Sequence, residues 1–277
     1  MAGLTRLGAR HWQAIHDLLR SRERSVQLGP LWRQIHMQLE VGEPRGRRLH
    51  FSEAMLRSLR QAAEQASGVD LLVAAPAGTR RETASLGFVD DKVAPQRPDH
   101  GFVLVKGALP APLPALAPEL SLRVPLASLE LAAIEQVLVI ENLDSFDDWQ
   151  HFDAPAELAG CLVLYRGHGG LARGARRLLA ALPTDTPVTA FPDYDPAGLA
   201  IAAALGASQL LLPELDERLL TKGCQTHFLR QFRQATHLDG IELGGWQPVW
   251  DEMKQQARSI KQQHMLALGA CLRLLPR

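Results

Sequence analysis

The chain has 277 residues, 46% of them hydrophobic, and its 30 basic and 30 acidic residues give a formal net charge of zero. A chain of this length and apolar content can bury two hydrophobic cores, so we expect two domains. The zero net charge excludes a global attraction to a polyanion, so any contact with nucleic acid must come from local basic patches.

Helices are predicted for most of the first 70 residues. Apolar residues recur at helical spacing in residues 9–20, 31–39 and 52–66. Ser52 precedes Glu53 and an apolar run, which is typical of a helix start with an acidic first turn. Residues 71–73 and 102–105 are short strand candidates. A small module of helices and strands, winged-helix-like, would fit this first domain.

A proline-rich stretch follows and is predicted to be the domain linker. Between residues 108 and 125 the chain carries Pro110, Pro112, Pro114, Pro118 and Pro125. This density disfavours the interior of both helices and sheets. We therefore expect a DNA- or partner-binding domain over residues 1–125, which includes the linker, and a catalytic domain over residues 126–277.

Strands and helices alternate after the linker. Short runs that are apolar except for Thr189, at residues 137–140, 161–165, 188–191 and 210–212, are separated by helix candidates. Continuous apolar strands of this kind indicate an α/β fold with a parallel sheet covered by helices on both faces. Residues 214–277 again show a pattern of apolar residues that predicts helices. The core candidates there are Leu219, Phe228, Phe232, Met253, Ile260 and Leu266.

Three carboxylates follow the predicted strands. Glu141 comes directly after the first strand of the α/β region, and Asp193 and Asp195 follow the third. Functional groups of an open parallel sheet collect beyond the carboxyl ends of its strands, so these three side chains are expected at one edge. Clustered carboxylates repel one another unless a cation neutralises them, and oxygen ligands favour Mg²⁺ or Mn²⁺.

Each acid also has a purely structural interpretation. Glu141 could cap the helix that follows it. Asp193 and Asp195 stand before Pro196 and could form the first turn of the next helix, where aspartate and proline are both favoured. These interpretations leave unexplained why all three acids occur at the same edge, so the sequence favours a metal site.

The motifs around these acids resemble those of a known family. Glu141-Asn142-Leu143-Asp144-Ser145-Phe146 and Asp193-Tyr194-Asp195-Pro196-Ala197-Gly198 resemble the Toprim domain of topoisomerases and primases. They are more similar still to the Toprim nuclease subunit, called JetD or MksG, of the Wadjet and MksBEF condensin-like plasmid-defence systems. That Toprim domain in turn resembles the one in topoisomerase VI. The resemblance covers residues 130–213 well and the C-terminal helices loosely.

This resemblance implies a C-terminal Toprim domain and a metal-dependent DNA endonuclease. The protein would be dimeric, would work with an SMC–kleisin-type complex on plasmid DNA, and would hold Mg²⁺ or Mn²⁺ through Glu141, Asp193 and Asp195. Independently of the resemblance, a cytoplasmic location is expected, because no apolar stretch is long enough to cross a bilayer and polar residues stand where a signal peptide would be apolar. One departure matters. Relatives often carry an additional acid in a Glu-Gln-Glu-like stretch, where this chain has Lys261-Gln262-Gln263-His264.

Two alternatives stay open at this stage. The missing C-terminal acid would suit a catalytically idle Toprim module that only binds DNA or a partner. A haloacid-dehalogenase-like phosphatase also uses Asp-x-Asp at a strand end, but its aspartate pair normally follows the first strand. Tyr165 and Tyr194 are the chain's two tyrosines. Both lie within the α/β region, so metal-dependent hydrolysis is favoured over a covalent phosphotyrosine route.

Local arginines are the candidates for DNA contact. Arg166, His168, Arg173, Arg176 and Arg177 follow the second strand of the α/β region, where three glycines would let the backbone approach phosphate. A second contact is expected in the first domain. Its residues are Arg80 and Arg81, and further basic clusters lie at Arg20, Arg22 and Arg24 and at Arg45, Arg47 and Arg48. Any of these could instead be a solvated helix face.

Overall fold

A computed structural model describes residues 7–21 and 23–277 of the chain. It divides into two compact units, one ending at Pro98 and the other beginning at Asp99. The sequence placed this division at residue 125. The structure places it earlier because two strands within residues 102–125 pair with the large sheet of the second unit.

The first unit combines helices with a small antiparallel sheet. Its elements are α1 (Ala9–Arg20), β1 (Ser25–Gln27), α2 (Pro30–Leu39), β2 (Glu43–Arg45), β3 (Arg48–His50), α3 (Glu53–Ser67) and α4 (Arg80–Ser85). The three predicted helices are confirmed, and the hydroxyl of Ser52 caps α3 by accepting from the Met55 amide at 3.2 Å. The sheet, in the order β1-β3-β2, was not predicted because strands of three residues show too little alternation.

The strand predicted at residues 71–73 is wrong. These residues form a turn that follows α3. The carboxylate of Asp70 accepts from the Leu72 amide at 3.0 Å, and the Asp70 carbonyl accepts from the Val73 amide at 3.0 Å. Asp70 therefore closes a local turn, which is a common role of aspartate, and this turn competes with an extended strand.

The second unit is an α/β fold built on a mixed, largely parallel sheet of seven strands. Its strands are β4 (Phe102–Gly107), β5 (Leu122–Pro125), β6 (Val137–Ile140), β7 (Leu162–Tyr165), β8 (Val188–Phe191), β9 (Gln209–Pro213) and β10 (Leu272–Pro276), in the order β10-β9-β8-β6-β7-β4-β5. The four central strands are parallel, as the sequence predicted, and β4, β5 and β10 add antiparallel pairings at the two sides.

Helices cover both faces of this sheet. They are α5 (Leu143–Asp147), α6 (Gly170–Ala181), α7 (Pro196–Ala204), α8 (Glu217–Lys222), α9 (Gln225–Arg230), α10 (Phe232–Asp239), α11 (Gln247–Gln256) and α12 (Gln262–Ala267). Val137 and Val139 face the core that contains α6, while Leu138 and Ile140 face the core that contains α7. Because both faces are buried, the parallel strands are apolar at nearly every position, and the exceptions are Thr189 and Gln209, whose side chains hydrogen-bond to each other.

The C-terminal region departs from its prediction in two places. Residues 272–276 form β10, an edge strand antiparallel to β9, within a stretch that the sequence assigned to helices. Phe232, a predicted core residue, is 63% exposed, whereas Leu219, Phe228, Met253 and Ile260 are buried as expected. Within the described ranges, no helix is both long enough and apolar enough to cross a membrane.

Candidate carboxylate site

The site forms where two neighbouring parallel strands end. β6 pairs with β8 so that Ile140 lies opposite Phe191. Glu141 directly follows β6, and Pro192 and Asp193 directly follow β8. The Glu141 amide donates to the Phe191 carbonyl at 3.1 Å. The Asp193 amide in turn donates to Oε2 of Glu141 at 3.2 Å. The first two predicted acids therefore do meet at one edge of the sheet.

A second segment closes the site from the C-terminal region. Tyr194 and Ile260 form an isolated antiparallel bridge, in which each amide donates to the other's carbonyl at 2.9 and 3.0 Å. This pairing fixes the residues on either side of Ile260 against those on either side of Tyr194. Ser259, Lys261 and Gln262 are thereby placed around the two aspartates.

Lys261 forms an ion pair with both aspartates. Its Nζ lies 2.8 Å from Oδ2 of Asp193 and 2.9 Å from Oδ2 of Asp195. Burial alone would lower the pKa of Lys261, but the hydrogen bond to Asp193 and the charges of both aspartates outweigh it, so the pKa is raised. The lysine is therefore a protonated, fixed cation within the carboxylate cluster.

Asp195 is occupied by donors from this chain. Its Oδ1 accepts from the Gly198 amide at 2.9 Å, which makes it the N-cap of α7, with Pro196 in the first turn. Besides Lys261, its Oδ2 accepts from Gln231 Nε2 at 3.0 Å and from the Ser259 hydroxyl at 2.7 Å. The capping interpretation is thus confirmed for Asp195, which is 1% exposed.

The pKa of Asp195 reflects these donors. Burial raises the pKa of this carboxyl, but the hydrogen bonds from Gln231 and Ser259, together with the charge of Lys261, outweigh burial and lower it. A carboxylate that accepts several hydrogen bonds and faces a cation is stabilised in its ionised form. Asp195 is therefore held in its ionised form near neutral pH in the folded protein.

Asp193 is similarly surrounded. Its Oδ1 accepts from Asn142 Nδ2 at 3.0 Å and from the Gln262 amide at 2.9 Å, while Oδ2 faces Lys261. The residue is 6% exposed. Each of its oxygens therefore has at least one partner within the chain.

Glu141 is the least satisfied of the three acids. It does not cap α5, whose N-cap residue is Asn142. Burial raises the pKa of Glu141, and the nearby charge of Asp193 raises it further, against the opposing effect of Arg166. Arg166 Nη2 lies 3.7 Å from Oε1 of Glu141, which is too long for a hydrogen bond. The ionised form of this carboxylate is therefore disfavoured, and Arg166 compensates its charge only in part.

The three carboxylates do not fit a shared divalent ion in this arrangement. A Mg²⁺ ion needs oxygens at about 2.1 Å around an open position. Here Lys261 contacts both aspartates, and the remaining oxygens of Asp195 and Asp193 accept from other internal donors. Across residues 7–21 and 23–277, no group of three or more His, Cys, Asp or Glu side chains is arranged to hold a metal.

The predicted basic residues of the second unit lie on one loop and one helix. Arg166 and His168 follow β7, and the Tyr165 hydroxyl shares a hydrogen bond with His168 Nδ1. α6 then exposes its three arginines, Arg173, Arg176 and Arg177. A Cβ at Gly174 would lie 1.9 Å from the Phe102 carbonyl, so α6 packs closely on β4 through its glycine side. The arginines are left on the outer side.

The basic residues of the first unit are exposed as well. Arg80 and Arg81 occupy the first turn of α4, which a capping box between Thr79 and Glu82 stabilises. Arg45 and Arg48 lie on the hairpin of β2 and β3. Arg22 lies outside the described residues.

Both tyrosines are buried. Tyr165 lies in β7, and Tyr194 is 1% exposed between the two aspartates. Burial raises the pKa of each hydroxyl. Among the cysteines, Cys161 is buried, which raises its thiol pKa to about 11, and all three are free thiols.

Sequence reasoning missed most partners of the aspartates. Asn142 was recognised only as part of a motif, and Gln231 and Ser259 gave no signal. The stretch beginning at Lys261 was singled out because an acid is absent there. That departure pointed to the correct position, but the role of Lys261 as a cation needed the pairing of Tyr194 with Ile260.

Comparison with known proteins identifies the family of the second unit. The family described as Domain of unknown function (DUF7281) matches residues 93–274, so the chain belongs to this family. No curated protein matches the sequence significantly.

Proposed function

We propose that this member of the DUF7281 family is a Toprim-type module that binds plasmid DNA without cutting it. It would act as a homodimeric component of an SMC- or condensin-like plasmid-defence complex. The Toprim assignment, the DNA and the SMC–kleisin-type partner are supported by the motif resemblance around Glu141 and Asp193. The non-catalytic role is supported by the geometry of the carboxylates.

The observation that carries the proposal is the ion pair of Lys261 with Asp193 and Asp195, at 2.8 and 2.9 Å. Metal-assisted hydrolysis needs carboxylate oxygens that are free to hold an ion and its water. In this protein the cation that neutralises the aspartates is an ammonium group, which cannot activate water as a Lewis acid. The site therefore supports a structural role at the edge of the sheet better than a catalytic one.

Basic side chains beside the carboxylates supply a means of holding DNA. Arg166 is 3.7 Å from Glu141, and the loop that it begins leads into α6. Arg173, Arg176 and Arg177 project from the outer side of α6 and are exposed. Arginines in such positions can contact phosphates, and this contact does not depend on a divalent ion.

A plasmid assay tests the proposal. The full chain would be mixed with supercoiled plasmid, first in EDTA to measure retention of the DNA and then with Mg²⁺ or Mn²⁺ to measure nicking. We expect retention in EDTA and no nicking with either metal. Sedimentation of the same protein tests the dimer.

The matched control is Glu141→Gln, which keeps the size of the side chain and removes its charge. If wild-type protein nicks the plasmid and Glu141→Gln does not, the protein is a nuclease and the proposal is wrong. Nicking that persists unchanged in the variant would come from a contaminant. Absence of retention in EDTA would remove the DNA-binding role.

A metal-dependent DNA endonuclease is the second candidate. It is favoured by the contact of Glu141 with the Asp193 amide at 3.2 Å, which holds two acids together at adjacent strand ends. The raised pKa of Glu141 agrees with an uncompensated negative charge there. This function would use Mg²⁺ or Mn²⁺ and would require Lys261 to leave the aspartates.

A further inference from the structure

Lys261 does more than neutralise its neighbours. We infer that it excludes divalent metal ions from Asp193 and Asp195, and that the substitution Lys261→Glu would convert this position into a site for Mn²⁺ or Mg²⁺. The inference rests on the proposed function, because exclusion of the metal is what makes the module non-catalytic. Lys261 would thus determine which kind of cation the site accepts.

The geometry of the ammonium group supports this role. Nζ contacts one oxygen of each aspartate, so it bridges them as a shared metal ion would. A divalent ion at the same position would need these oxygens to move inward by about 0.8 Å, to a ligand distance of about 2.0–2.1 Å. Such a movement is small, so the oxygens themselves do not forbid a metal.

The ammonium group and a metal ion compete for the same space and repel each other. Lys261 is held in place by its neighbours, since Ile260 pairs with Tyr194 and the Gln262 amide donates to Asp193. Its side chain is 37% exposed, which leaves a route for ions from solvent. The barrier to metal binding is therefore the charge at position 261 and not the lack of an entrance.

Removal of the Lys261 charge would leave the neighbouring carboxylates with little positive charge to offset their own. Asp193 and Asp195 would lose their shared cation, and a third carboxylate, that of Glu141, lies against them, since its Oε2 accepts from the Asp193 amide at 3.2 Å. The remaining donors to Asp195 are the neutral groups of Gln231, Ser259 and Gly198. Divalent affinity rises with the number of carboxylate ligands, so a glutamate at position 261 would add both charge and a ligand.

Mn²⁺ binding to the full chain tests the inference without any activity measurement. Free Mn²⁺ would be measured by electron paramagnetic resonance for wild type, Lys261→Glu, Lys261→Met and Lys261→Arg. We expect no saturable binding by wild type or Lys261→Arg at about 1 mM Mn²⁺. Lys261→Glu should bind one ion per chain, at least about 100-fold more tightly than wild type does. Lys261→Met should fall between these limits.

Controls make the outcome decisive. Circular dichroism without metal checks folding, and Lys261→Met carries the test if Lys261→Glu does not fold. Addition of Asp193→Asn to Lys261→Glu should abolish binding. The inference is overturned if wild type binds an ion that Asp193→Asn removes, or if folded Lys261→Glu and Lys261→Met bind none. Retention of plasmid in EDTA by wild type is scored separately, and its loss would count against the proposed function alone.

Discussion

Asn142 and Gln262, 120 residues apart in sequence, are joined by two hydrogen bonds to the same oxygen. The Asn142 amide and its Nδ2 donate to Oε1 of Gln262 at 3.1 and 2.9 Å, and Gln262 Nε2 donates to the Phe191 carbonyl at 2.8 Å. One fully buried amide therefore ties the ends of β6 and β8 to the start of α12.

Loss of this amide should destabilise the second unit. Gln262→Ala would leave the Asn142 backbone N–H without its acceptor and would remove one of the two donors to the Phe191 carbonyl, which keeps the Glu141 amide. We therefore expect a decrease of about 1–3 kcal/mol in the free energy of unfolding. Gln263→Ala is the matched control, because Gln263 is exposed, and it should change stability by about 0.5 kcal/mol or less. Urea unfolding of both variants measures the difference, and equal losses would show that the Gln262 amide does not hold the site together.

The Lys261 ion pair should give a pH-dependent stability effect. Lys261→Met leaves two buried carboxylates without their cation, and we expect a loss of about 1–3 kcal/mol at pH 7, reduced from the value for a fully buried pair because the lysine is 37% exposed. The pKa of Asp195 is lowered in the folded state, so its contribution is present above its unfolded pKa and is lost as pH falls through the folded pKa.

The loss in the free energy of unfolding caused by Lys261→Met should therefore be smaller in acid than at pH 7. Denaturant unfolding of wild type and variant at pH 7 and at about pH 3 would show this, since unfolded aspartates titrate at about 3.9. Lys254→Met is a suitable control, because Lys254 pairs with the exposed Asp251 and Asp239. A deficit that is as large in acid as at pH 7 would mean that lost packing and not the ion pair causes it.

The sequence predicted the central sheet well because its signal is local. Val137–Ile140 and its parallel partners are short, almost wholly apolar runs between turn and helix signals, and the carboxyl ends of β6 and β8 mark the site. The strands of three residues in the first unit lack such a pattern. The cation at the site depends on a backbone pairing of Tyr194 with Ile260, which no spacing or periodicity in the sequence specifies.

Loss of the charge on Glu141 should stabilise the protein. Burial and the charge of Asp193 raise the pKa of Glu141, so the stability linked to its proton is present below the unfolded pKa and is lost as pH rises through the folded pKa. We expect Glu141→Gln to raise the free energy of unfolding by up to about 1 kcal/mol at pH 7 and to have no such effect near pH 4. Glu157→Gln, at an exposed position, is the control and should be neutral at both pH values. Destabilisation by Glu141→Gln at pH 7 would indicate that the Arg166 pair dominates.

The arginines on the outer side of α6 should determine how DNA binding responds to salt. Each arginine that neutralises a phosphate releases counterions, so the slope of log affinity against log salt should decrease by roughly one unit per contact removed. We expect Arg176→Ala with Arg177→Ala to lower both the affinity for DNA and the slope of its salt dependence.

The matched control is Arg218→Ala with Lys222→Ala, which removes the same charge from α8. Fluorescence anisotropy with a duplex over a salt series in EDTA measures all three proteins. If the slopes of the α6 variant and the wild type coincide, α6 does not contact the backbone, and if both variants change equally, only net charge matters.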